Sequence, residues 1–133
     1  MDGNVGRVER AMLKQYLNEL LATEHGLDGA MFCTSDGFDL ASTLPGGVSP
    51  ETFAAMVSSQ FALGDALCRE VGHKLCRDLV VDAATGKVLI LEIPQTGRGL
   101  VLAGVASTRA TLGQVLYACR RVAAMVGSRV GGM

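Results

Sequence analysis

Four cysteines (Cys33, Cys68, Cys76, Cys119) and two histidines (His25, His73) are the residues best equipped for nucleophilic, redox or metal chemistry. Cys68, His73 and Cys76 are near neighbours, and together offer donors that zinc would accept. Their spacing matches no standard zinc pattern, and a fourth ligand is not apparent. No Cys-x-x-Cys pair occurs, so the thiols read as buried core residues. A cysteine nucleophile needs a base within reach, yet both histidines fall near predicted helix ends. The carboxylates are scattered over turns and polar helix faces, with no pair placed for acid–base work. A phosphate-binding loop needs Gly-x-x-x-x-Gly-Lys-Ser/Thr; Gly46-Gly47 lacks the lysine, and Gly97-Arg98-Gly99 sits between two strands. The sequence therefore nominates no catalytic residue, no metal ligand and no cofactor, and the chain reads as a non-enzyme.

Composition narrows the remaining classes. The chain has 133 residues, 49% of them apolar and 19% charged, with a formal charge of −1. That length favours one domain with a real core. No basic stripe is present and aromatics are only 5%, so phosphate contact and base stacking lack their usual residues. The longest apolar runs are strand-sized, far below the roughly 20 residues a membrane span needs. The start lacks a basic and an apolar signal region, so a cytoplasmic protein is expected, with neither nucleic acid nor membrane as partner. The apolar excess suggests surface hidden in an assembly.

Periodicity supplies the elements. Residues 5–25 repeat apolar side chains at helical spacing (Val5, Val8, Met12, Leu13, Tyr16, Leu17, Leu20, Leu21), and Gly26 in His25-Gly26-Leu27 is placed to end that helix. Two short apolar runs flank Ser35-Asp36-Gly37, a strong hairpin signal. Ser49-Pro50-Glu51 opens a second helix, over about 50–72, with a serine cap and proline in its first turn. One broad face of it carries Phe53, Met56, Val57, Phe61, Leu63, Leu67, Cys68 and Val71 and is expected to cover a sheet. The back carries Ala55, Ser58, Ser59, Ala62 and Ala66, with Asp65 and Arg69 only toward the end. A back so poor in charge fits close approach of another helix.

Three strands follow. The run Cys76–Ala83 mixes Arg77, Asp78 and Asp82 with Leu79, Val80 and Val81, which suits a sheet edge. Residues 87–93 and 100–106 are almost wholly apolar, as central strands covered on both faces are. Ser107-Thr108 is placed to cap a last helix over about 109–127, with residues 127–133 as a flexible tail. One domain over 1–133 results, with its core in about 8–126.

This pattern resembles the roadblock/dynein light chain family from about Val8 to Val126. The carriers are Gly26-Leu27-Asp28-Gly29-Ala30, Ser35-Asp36-Gly37-Phe38-Asp39-Leu40-Ala41, Phe53-Ala54-Ala55-Met56-Val57-Ser58-Ser59, and Thr111-Leu112-Gly113-Gln114-Val115 followed by Arg120-Arg121. The resemblance implies an α+β roadblock/profilin-like fold: one five-stranded antiparallel sheet, order 2-1-5-4-3, with the middle helix on one face and two helices on the other. It also implies a homodimer built by pairing third strands, with the middle helices side by side. Ala55, Ser59, Ala62 and Ala66, and Arg77, Leu79 and Val81 along the strand, are then the expected dimer contacts. Ser58, Asp65 and Arg69 are the expected partner contacts. The family's members act as regulators or scaffolds for small GTPases, motors and signalling complexes, and activators among them need not donate an arginine. A Ras-like GTPase is thus the expected partner, with stimulated GTP hydrolysis as one outcome. The alternatives are a signalling scaffold without GTPase contact, or a small-molecule sensor of PAS or GAF architecture.

Overall fold

In the computed structural model, residues 6–97 and 99–131 are described; residues 1–5, Arg98, Gly132 and Met133 lie outside them. The order is α1 (Arg7–Thr23), β1 (Leu27–Thr34), β2 (Asp39–Thr43), α2 (Pro50–Glu70), β3 (Asp78–Ala83), β4 (Gly86–Glu92), β5 (Leu100–Ser107) and α3 (Leu112–Gly131). The strands form one sheet in the order β2-β1-β5-β4-β3, and every neighbouring pair is antiparallel.

The two-residue period of the central strands divides the core between the two faces. Phe32, Leu89, Leu91 and Leu102 point toward α1 and α3, where Leu13, Leu17, Val115, Cys119 and Val126 meet them. Met31, Cys33, Ile90, Val101 and Ala103 point the other way, toward Ala54, Val57 and Phe61 of α2. Two helices fill the first layer and one the second, so the second layer is thinner. The helix α2 lies mainly over β1 and β2.

Local chemistry explains the joints. Gly37, at φ 101°, closes the β1–β2 hairpin in a backbone conformation that other residues resist. The Ser49 hydroxyl accepts from the Thr52 N–H (3.3 Å), with Pro50 starting α2. Three junctions differ from the sequence reading. Gly26 does not form a left-handed cap, because α1 ends at Thr23 with Glu24 extended. Instead, a Cβ at Gly26 would come 2.8 Å from Ala110 Cβ, so close packing requires the glycine. Ser107 closes a turn with Ala110, and α3 starts only at Leu112, with Thr111 O accepting from Gln114 and Val115. At the other end α3 continues to Gly131, so residues 127–131, expected in a flexible tail, are helical.

Gly127 explains why that last turn stays down. A Cβ there would overlap the Pro94 carbonyl oxygen, so the loop after β4 packs directly on helix backbone. Gly127→Ala should therefore destabilise the fold by about 1–3 kcal/mol through overpacking. Gly46→Ala, where a Cβ meets nothing within 4 Å, should stay within about 0.5 kcal/mol. Urea unfolding of both variants checks the contrast; equal stability would refute the close contact.

Candidate functional site

The sequence assigned the large apolar residues of α2 to the sheet, and the structure corrects this. The buried line is Ala54, Val57, Phe61 and Gly64, with Phe53 and Cys68 half-buried. Met56, Leu63, Leu67 and Val71 are instead 62%, 62%, 68% and 64% exposed. The cause is size. Gly64 has no side chain to hold the helix off, and a Cβ there would sit only 3.4 Å from Cys76 Sγ and 3.7 Å from Leu79. The contact line thus runs 57–61–64–68. Met56, Leu63 and Leu67, about a quarter-turn away or more at 100° per residue, are left in solvent.

Those exposed residues flank the thin side of the sheet. Between α2 and the β3–β4 hairpin lies an open groove of about 580 Å³, lined by Phe53, Met56, Gln60, Val81, Val88 and Ile90. Ala55 and Ser59 stand at its rim, while Ala62 and Ala66 are exposed one and two turns further along. Leu79 is half-buried against α2, and Arg77 and Val81 are exposed on the hairpin. The seven expected dimer contacts thus fall along α2 and β3, with Arg77 immediately before the strand. The sequence reading missed Met56, Leu63 and Leu67 as exposed members of this surface. The 56–63–67 spacing carries their signal, but periodicity alone assigns it to the core.

The three expected partner contacts have local bonds. The Ser58 hydroxyl donates to Ala55 O (2.9 Å) within the helix. Asp65 is half-buried; one carboxylate oxygen accepts from the Cys76 N–H (3.0 Å) and the other pairs with Arg69 (2.9 Å). Asp65 thereby clamps the α2–β3 connection and leaves Arg69 as its exposed, cationic end.

The sheet's two edges are treated differently. Along β2, the Arg10 guanidinium donates to Asp39 O and Leu40 O (3.4 and 3.5 Å). Lys14 donates to Ser42 O and to the Thr43 hydroxyl, the latter at 2.8 Å. Long cations from α1 therefore occupy carbonyls that a further strand would need. The strand β3 has β4 as its neighbour on one side and is the opposite edge of the sheet.

Burial, with a smaller contribution from the Asp39 charge, pushes the Cys33 thiol up to about 12. Burial, aided by Glu24, does the same to Cys119, so neither supplies a thiolate at neutral pH. His73 is exposed, Cys68 half-buried and Cys76 buried, and among the described residues no three potential ligands cluster to hold a metal. Among them, too, no helix is long and apolar enough to cross a membrane.

A sheet with one thinly covered face and an apolar flank beside an edge strand defines an interaction module. The chain belongs to the Roadblock/LC7 domain family, whose pattern it matches over residues 13–103. Two uncharacterized proteins of Methanocaldococcus jannaschii are each 30% identical over 112 residues, 84% of this chain and 94% of theirs. An MglB with a tetrameric arrangement is similar in structure at TM-score 0.79 and 26% identity, over 93% of this chain and 89% of that one. A Roadblock/LC7 domain from Streptomyces avermitilis reaches TM-score 0.79 at 19% identity, covering 88% and 96%.

The Asp65 clamp has a measurable signature. Asp65→Ala strands the Cys76 N–H, which the carboxylate now satisfies, and should cost about 1–3 kcal/mol. Arg69→Ala removes only an exposed i,i+4 partner and should cost under about 0.5 kcal/mol. Thermal unfolding of the two variants should separate them clearly; the reverse order would show Asp65 to be a surface residue.

Proposed function

We propose that the chain is a non-enzymatic, cytoplasmic homodimer that regulates or scaffolds a Ras-like small GTPase. The observation that carries the reading is the exposed apolar flank of α2 beside an edge strand, in a chain of the roadblock family. A solvent-exposed row of Met56, Leu63 and Leu67 is costly unless covered, and a second copy related by a two-fold axis presents the same row to itself. Strand β3 brings Leu79 and Val81 to the contact, with Arg77 just before it, and α2 brings Ala55 and Ser59, with Ala62 and Ala66 beside the seam. The structural likeness to an MglB of tetrameric arrangement supports self-association.

The paired α2 helices then form a platform that presents Ser58 and Arg69 twice, with Asp65 holding each Arg69 in place. A GTPase whose switch loops are ordered by the γ-phosphate offers a shape that such a rigid surface can select. Stimulated hydrolysis, where it occurs, comes from fixing the GTPase's own catalytic groups. A sensor would need an enclosed, partly polar pocket. The groove beside α2 is open, mostly apolar and continuous with the β3 edge, so it suits a protein neighbour better.

Leu63→Arg places an unpaired charge in the seam and should weaken dimerisation by more than about 100-fold. Light scattering across a concentration series checks this, and a monomeric wild type would reject the dimer. Calorimetry with a Ras-like small GTPase from the same organism should show tighter binding in the GTP-analogue state, and Leu63→Arg should lose it. Failure to bind in either state would leave a scaffold without GTPase contact.

A further inference from the structure

The exposed edge of β3 fixes how a second copy can dock on it. In the β3–β4 hairpin, Ala83 pairs with Gly86, Val81 with Val88 and Leu79 with Ile90. The Glu92 N–H to Arg77 O bond (3.0 Å) continues the alternation. These are the hydrogen-bonded pairs, so Asp78, Val80 and Asp82 turn their backbone N–H and C=O groups to the open side. Asp78 O receives a weak thiol contact from Cys76 (3.6 Å). An antiparallel copy must match outward residues with outward residues. All three find partners in β3 of the copy in one register only: Val80 opposite Val80, and Asp78 opposite Asp82. A shift of two residues either way leaves an end unpaired. On the α2 face this register sets Leu79, packed against the α2-side core, opposite Val81, which lines the groove with Met56.

The same register creates a difficulty. It places an aspartate opposite an aspartate at both ends of the seam, about 5.5 Å apart between Cα atoms, and like charges directly opposed weaken a sheet. Each acid already carries its own cation. Arg120 of α3 reaches down to the edge, with Nε 2.8 Å from Asp78 Oδ2. Lys87, opposite Asp82 on β4, holds Asp82 Oδ1 at 2.9 Å. Both pairs lie on the α3 side of the sheet, along one line with Val80. The β2 edge, occupied by Arg10 and Lys14, offers no comparable strand site.

We infer that the second copy docks in the Val80–Val80 register and that Arg120 and Lys87 neutralise the acid-on-acid ends of that seam. The inference rests on the dimer proposed above and adds its register and its electrostatic control. Arg120 acts on association through Asp78, as a positioning residue.

The test is a charge-rescue cycle read as dimer Kd by sedimentation. Arg120→Ala should raise Kd roughly tenfold, and adding Asp82→Asn to the same chain should return it to within about threefold. Within one chain Asp78 and Asp82 are about 13 Å apart along the strand, so the rescue can act only through the copy. A second measurement guards against a folding defect. Val80→Cys should crosslink into a covalent dimer under mild oxidation, beyond the wild-type background, and Val81→Cys should not. Absence of rescue, or crosslinking at Val81→Cys in place of Val80→Cys, with the wild type still dimeric, overturns the register alone. A wild type that stays monomeric overturns the dimer as well.

Discussion

Every sheet that does not close on itself ends in two rows of backbone donors and acceptors, and what satisfies them governs what the protein can join. Here carbonyls of the β2 row are met from within the chain, by Arg10 and Lys14 reaching across from α1. The β3 row is bordered by acidic side chains whose cations, Arg120 and Lys87, sit to one side of the strand. The β3 edge is therefore the one at which the proposed second copy extends the sheet. An assembly that extends through one edge closes at two copies, whereas two open edges would invite a fibre.

The layer structure reinforces that asymmetry. Two helices cover one face, where nineteen of the described residues form one buried cluster, against eight on the α2 face. The smaller layer leaves Val81, Val88 and Ile90 bordering an open groove at the β3 end. The α2 flank with Met56, Leu63 and Leu67 runs alongside. Backbone pairing and apolar burial are thus offered on the same side of the molecule. Neither is large alone, but a two-fold axis through β3 would use both at once.

Much of this was legible in the sequence, because it is written in local chemistry. Asp36-Gly37 marked the hairpin, Ser49-Pro50 marked the α2 start, and the acids among Leu79, Val80 and Val81 marked the edge strand. The phase of α2 was not legible. A helix apolar over more than half its circumference shows a period but does not say which arc meets the sheet. That choice was made by Ala54 and Gly64, which carry little hydrophobic weight and matter through absence of bulk. The Asp65–Cys76 bond joins residues eleven apart, and the Gly127–Pro94 contact joins distant elements. Both arise only when the chain is folded, so no spacing rule reveals them. The same distinction divides the candidate surface: the edge position of β3 followed from its own composition, while the exposed α2 flank required the packed sheet.

The central claim is that the outward groups of β3 are satisfied by a second copy. Amide hydrogen exchange at Val80 and Asp82, followed by NMR over a wide range of protein concentration, addresses it most directly. Both amides point outward from the hairpin, so they should exchange fast in dilute monomer and become protected as concentration rises. The inward amide of Val81, bonded to β4, should stay protected throughout. Fast exchange at Val80 and Asp82 at every concentration, with Val81 protected, would contradict the account.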